Sequence, residues 1–148
     1  MPLIPGTRDR SAADPVRTRL AAAGAAVVIV GVGLGLRAVA AGSVAKYGGD
    51  ALYTVLLLAL VVLAAPRVTP LKAAGCALAV SWVVEFLQLS GVPAELSERS
   101  TVARFALGST FNPPDLFWYA VGAAAGWLIH TVVTTRHSVG CQLVRGHR

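Results

Sequence analysis

Charged side chains are what this sequence is shortest of. They make up 14% of its 148 residues, where a soluble globular domain carries roughly 25%. That shortage excludes a disordered chain, a charge-rich nucleic-acid arm and an ordinary soluble enzyme. Cysteine is scarce as well. Cys76 and Cys141 are the whole complement, and without the paired spacing of a disulfide framework or a zinc site they read as free thiols. The three histidines, His130, His137 and His147, form no ligand set. The fifteen glycines follow no three-residue period, which excludes a collagen helix. No G-x-S-x-G, H-E-x-x-H or Walker sequence occurs. Ser97, Ser100, Thr101, Ser109 and Thr110 lack a histidine on their side of the chain to activate them. The expectation is a protein with no catalytic residues, no cofactor and no bound metal.

What is present is apolar surface. Hydrophobic residues reach 55% and mean hydropathy is +0.67. Four runs hold most of it: Leu20 to Leu36, Ala51 to Ala65, the stretch after Lys72 to Leu89, and Leu116 to Thr135. They are too long and too uniformly apolar for amphipathic soluble helices. The fold expected is an all-α, polytopic membrane protein with four transmembrane helices at about 20–37, 47–65, 71–89 and 114–135. The first run has 17 residues, or ~26 Å at 1.5 Å each. A ~30 Å hydrocarbon core therefore forces the short runs to recruit a turn from their flanks. The third connection is the longest, and its segment 94–107 reads as a short interfacial helix with Gly108 as a stop. Asn112-Pro-Pro-Asp115 reads as a helix start, with Asn112 as cap, Pro113 at the first position and Asp115 completing a capping box. Residues 1–19 read as a disordered basic arm and 136–148 as a tail.

The net charge of +6 reads as a topology signal. The arm, the turn at 66–72 and the tail together carry nine Lys and Arg, and the opposite loops carry four: Arg37, Lys46, Arg99 and Arg104. The positive-inside rule then sets both termini in the cytoplasm. A cleaved signal peptide competes for the first run, because Ala38-Val39-Ala40 has the A-x-A form. Arg37 beside the supposed cleavage site and the odd number of helices left behind speak against it.

The costly residues carry the functional interest. A charge at mid-membrane costs ~2.5–3.5 kcal/mol on insertion scales, and such residues persist when paired or functional. Glu85 lies 13 residues past Lys72, a rise of ~20 Å, roughly 10 Å inside the outer boundary of a ~30 Å core. Ser81 and Gln88 share its face. Arg37, Lys46, Asp50, Arg104 and Asp115 collect at the same level, so three cations can meet three acids in one shallow, nearly neutral pocket. The set has two readings: an ion-pair clamp on the helix ends, or an outward-facing binding pocket. Helix-end acids such as Asp50 and Asp115 also serve as ordinary caps. End-capping does not account for Glu85. Gly31 with Gly35 and Gly122 with Gly126 form G-x-x-x-G patterns suited to close helix packing.

Several of these residues form a familiar pattern: Gly35-Leu-Arg37, Lys46-Tyr-Gly-Gly-Asp50-Ala-Leu-Tyr53, Glu85-Phe-Leu-Gln88, Arg104 through Leu107-Gly108, Phe111, and Asp115-Leu-Phe-Trp-Tyr119 with Gly122 and Gly126. Over roughly residues 20–135 the chain resembles the bacterial membrane proteins grouped as domain-of-unknown-function family 2809. In outline it is also similar, more distantly, to VanZ-like proteins, which are associated with teicoplanin resistance at the cell envelope. The resemblance implies four membrane helices and no established activity.

The function expected is a non-enzymatic accessory protein of the cell envelope, with a polar pocket for a lipid head group or cell-wall precursor. The alternatives are a structural subunit of a larger membrane complex and a small oligomeric transporter. The partners expected are membrane lipids and another membrane protein or a second copy, with no nucleic acid.

Overall fold

The computed structural model describes residues 14–108 and 110–145, with side chains as far as Arg136. These residues form α1 (Pro15–Val39), α2 (Gly42–Ala64), α3 (Pro70–Leu87), α4 (Val92–Arg99), α5 (Thr101–Leu107) and α6 (Pro113–Arg145), with a 3₁₀ turn at Gln88–Ser90 closing α3. No strand occurs among the described residues. Four helices are long and apolar enough to cross a membrane: Pro15–Val39, Gly42–Ala64, Pro70–Ser90 and Pro113–Arg136. The chain is an all-α, multi-pass membrane protein.

The helices outrun the apolar runs because capping and backbone geometry set their ends. α1 starts five residues before the expected 20, where Asp14 Oδ1 accepts the Val16 N–H at 3.0 Å and Pro15 occupies the first turn. Those five residues belong to a helix rather than to the expected disordered arm; residues 1–13 lie outside the described part. α1 has 25 residues, or ~38 Å, enough for a full crossing. α2 likewise recruits Gly42 to Asp50 ahead of its apolar run. α6 continues through Arg136 to Arg145, so most of the expected tail is helix. Nothing in 136–145 breaks a helix except Gly140, and one glycine costs only ~1 kcal/mol.

The segment expected as one interfacial helix at 94–107 is two. Ser100 takes an extended conformation (φ −147°, ψ 125°), and its hydroxyl accepts the Ala103 N–H at 3.3 Å, ending α4 and capping α5. Gly108 follows at φ 65°, ψ −172°, a region essentially restricted to glycine.

α2, α3 and α6 pack on one another, and α1 lies along α2. The core is built of small residues: Ala73, Ala74 and Ala77 of α3 lie against Leu58 and Val62 of α2, with Ala22 of α1 joining. Buried Thr54 and Ser81 share a hydrogen bond at 3.0 Å between α2 and α3, and Ser81 also donates to the Ala77 carbonyl at 3.0 Å. Such packing suits an environment that supplies no hydrophobic drive between helices. The outer surface is correspondingly apolar, with Val27, Val28, Leu34, Phe117, Leu128 and Ile129 exposed.

The two G-x-x-x-G patterns behave differently. Gly122 and Gly126 of α6 meet α2 closely: a Cβ at Gly122 would stand 2.3 Å from the Ala51 carbonyl oxygen, and one at Gly126 2.7 Å from Leu58 Cδ1. At Gly31 and Gly35 a Cβ would meet nothing within 4 Å, so among the described residues no helix packs closely on these two. The close approach of α1 to α2 occurs at Gly48, where a Cβ would lie 2.6 Å from Leu36 Cδ2.

Candidate functional site: a buried carboxylate cluster

Three helices contribute polar faces to one end of the bundle. α2 supplies Lys46, Asp50 and Thr54 at successive i, i+4 positions. α3 supplies Ser81 and Glu85, and α6 supplies Asp115 and Tyr119. Spacings of four place each set on one helix face.

Glu85 is fully buried, at 0% exposure. Its Oε1 accepts the Asn112 backbone N–H at 2.6 Å, and its Oε2 accepts the Tyr119 hydroxyl at 3.1 Å. Asn112 is the residue just before α6, so Glu85 takes up one of the N–H groups that a helix start leaves free. A capping box would send that N–H to the acid three residues on, here Asp115. Glu85 does that work from another helix. End-capping therefore does explain Glu85, contrary to the sequence expectation.

Asp115, thus released, accepts from Lys46 Nζ through Oδ2 and from the Asn112 side-chain amide through Oδ1. Asp115 is 4% exposed. Lys46 Nζ also lies 3.7 Å from Asp50 Oδ2. That Asp50 oxygen is buried and has no hydrogen-bond partner among the described residues. The Lys46 side chain, at 45% exposure, is the open edge of the cluster. Beside it Tyr47 stacks on Trp118 at 5.4 Å between centroids, and Trp118 meets Phe117 edge-on at 5.6 Å.

Of the seven polar residues picked out by sequence, Lys46, Asp50, Glu85 and Asp115 come together. Arg37 does not join them; its guanidinium sits 5.0 Å over the Phe105 ring, tying α1 to α5. Arg104 is exposed, and among the described residues the ion pairs are those of Lys46 alone. Gln88 turns to the third connection, where its Nε2 donates to the Leu107 carbonyl at 2.7 Å. Ser97 donates to the neighbouring Gly108 carbonyl at 2.9 Å. The two bonds fasten α4 and α5 onto the end of α3. The nearly neutral pocket expected from sequence is thus a cluster of three carboxylates and one ammonium, completed by neutral donors. Tyr119 and Asn112 were not singled out as site residues. Tyr119 lies four residues after Asp115 and seven after Asn112, a face repeat that marks it.

With α2, α3 and the start of α6 in place, the comparison with known families is decisive. The DUF2809 family, described as proteins of unknown function, matches residues 39–123. The chain belongs to the DUF2809 family. The matched stretch holds Lys46, Asp50, Glu85, Asn112, Asp115 and Tyr119, hence the whole cluster, and leaves out nearly all of α1. No curated protein and no solved structure matches the chain. The DUF2809 protein described here is a small multi-pass membrane protein of unknown activity. Among its described residues no group of three His, Cys, Asp or Glu is arranged to hold a metal ion.

Proposed function

We propose that this protein is a non-enzymatic accessory component of the bacterial cell envelope, seated in the inner membrane with both termini cytoplasmic, and that the open edge of its carboxylate cluster binds a lipid head group or cell-wall precursor. The observation that carries this reading is the Lys46–Asp50 edge. A half-exposed ammonium stands beside a carboxylate, one oxygen of which is buried and has no hydrogen-bond partner among the described residues. Lys46 offers protons to the phosphate or carboxylate of a head group or envelope precursor, with the partly exposed Asp50 side chain beside it to favour a ligand that also carries an amine or hydroxyl. Glu85, Asn112 and Tyr119 form the rigid base beneath it, and Tyr47 with Trp118 suits the head-group level, where amphipathic rings gather. The orientation follows from the charge bias: Arg17, Arg19, Arg67, Lys72 and Arg136 stand at the opposite end of the bundle. The VanZ likeness belongs to the same reading.

Lipid mass spectrometry of the purified protein tests the proposal with Lys46→Gln and Asp50→Asn, which leave the Glu85 contacts in place. The variants are expected to lose a co-purifying species at unchanged helix content. The same species at the same occupancy in both variants would sink the idea.

One observation favours a second reading, a structural subunit of a larger assembly. α1 is apolar, scarcely buried by the rest of the chain, and carries Gly24, Gly31 and Gly35 with nothing within 4 Å of their Cβ positions. On this reading native mass spectrometry finds an oligomer or a heteromeric complex that Gly31→Leu with Gly35→Leu disperses. A stable lone monomer for the unaltered chain counts against it.

A further inference from the structure

We propose a second binding site, at the opposite end of the bundle from the carboxylate cluster, that takes a phosphate anion as presented by the head group of an anionic phospholipid. It is independent of the reading above. An open surface depression of about 570 Å³ lies where α1 begins and α2 turns toward α3, lined by Pro15, Arg19, Ala65, Pro66, Arg67 and Val68. That volume falls in the range of about 300–1,000 Å³ usual for small-molecule sites.

Two guanidinium groups line the depression, and one is held in place. Arg19 Nε donates to the Leu63 carbonyl at 3.2 Å, one of the carbonyls that the end of α2 leaves without an intrahelical partner. That bond fixes the plane of the guanidinium and leaves its two terminal nitrogens for a ligand. Arg67 stands on the turn, which Pro66 stiffens and a Val68 N–H to Ala65 carbonyl bond of 2.9 Å closes. Neither arginine has a carboxylate partner among the described residues. Planar forks presenting paired donors match phosphate oxygens.

The remaining walls, Pro15, Ala65, Pro66 and Val68, are apolar, so the site joins a cationic face to a greasy one. The glycerol and first methylenes of a phospholipid need that combination; a free inorganic ion does not. The setting adds long-range attraction, because Arg17, Lys72 and Arg136 stand at the same end against Asp14. Asp14 is engaged in capping α1. Basic pockets between membrane helices are a recognised form of anionic head-group site.

The test uses the full chain in nanodiscs of phosphatidylcholine with graded phosphatidylglycerol, read by native mass spectrometry, and a parallel thermal-shift titration in neutral detergent with inorganic phosphate. Arg67→Gln is the principal variant, since Arg67 makes no described hydrogen bond that folding would need. Arg19→Lys keeps a cation while removing the fork. The unaltered chain is expected to retain phosphatidylglycerol over phosphatidylcholine, with affinity about tenfold weaker in Arg67→Gln and also reduced in Arg19→Lys. Stabilisation by inorganic phosphate, lost in Arg67→Gln, with no preference for phosphatidylglycerol, would keep the phosphate chemistry and assign it a soluble source. Equal retention of the two lipids together with no response to phosphate overturns the site, as does phosphatidylglycerol occupancy unchanged in both variants.

Discussion

Replacing Glu85 by alanine is expected to destabilise the protein by about 3–5 kcal/mol, from two buried donors left unpaired and the space the side chain vacates. Two donors would lose their acceptor at once: the Asn112 N–H at 2.6 Å and the Tyr119 hydroxyl at 3.1 Å. Each buried, unpaired donor costs about 1–3 kcal/mol, and both face a side chain with 0% exposure. The loss should concentrate at the start of α6, because Asn112 also holds Asp115 through its side chain. Glu85→Gln keeps one acceptor oxygen and is expected to cost less, about 1–3 kcal/mol. Tyr119→Phe leaves the buried Glu85 Oε2 without its donor and should cost about 1–3 kcal/mol. The measurement is the thermal unfolding midpoint of the purified protein in one detergent across the three variants. A larger loss in Glu85→Ala than in either of the other two marks Glu85 as the acceptor that seats α6 on α3. If Glu85→Ala unfolds at the same temperature as the unaltered chain, Glu85 does not hold these helices together.

The spans were legible in the sequence because a membrane helix is first a statement about missing charge, and Leu20–Leu36 and Ala51–Ala65 state it once each has borrowed a turn from its flank. The acids and Lys46 were legible for a related reason. Depth along a helix follows from counting residues at 1.5 Å each, and Glu85, Asp50 and Asp115 count to the same level. What counting does not give is direction around the bundle. Arg37 and Arg104 stand at an appropriate height but face elsewhere, Arg37 across the Phe105 ring. The same blindness applies to the glycines: a G-x-x-x-G pattern marks a face able to pack, and only the arrangement of α1 along α2 shows that Gly31 and Gly35 look outwards while Gly48 makes the contact. Asn112 escaped notice in its main role because the group it offers Glu85 is a backbone N–H, which every residue but proline possesses. The extension of α6 past Arg136 was hidden by polarity, which ends a membrane run without ending a helix.

Gly122→Ala is expected to destabilise by about 3 kcal/mol, at or above the top of the ordinary overpacking range, although alanine is the better helix former by about 1 kcal/mol. The added Cβ would lie 2.3 Å from the Ala51 carbonyl oxygen and 3.0 Å from both Ala51 C and Cα. All three are backbone atoms of α2, so no rotamer change relieves the overlap, and α2 and α6 must separate. Separation there draws Lys46 away from Asp115, since the two sit on those same helices. The variant should therefore loosen the carboxylate cluster as well as the core. Gly126→Ala makes the internal comparison: its obstacle is Leu58 Cδ1 at 2.7 Å, the far end of a side chain that can turn, and the cost should fall to about 1–2 kcal/mol. Gly31→Ala and Gly35→Ala meet open space and should leave the monomer unchanged or raise its stability by up to about 1 kcal/mol through helix propensity alone. Unfolding midpoints of the four single variants, together with disulfide trapping between cysteines placed on α2 and α6, separate the cases. Equal effects at Gly122 and Gly31 would mean that α6 does not approach α2 at Ala51. A graded series instead ties the cluster to that approach: the smallest residue on α6 lets Lys46 of one helix reach Asp115 of the other.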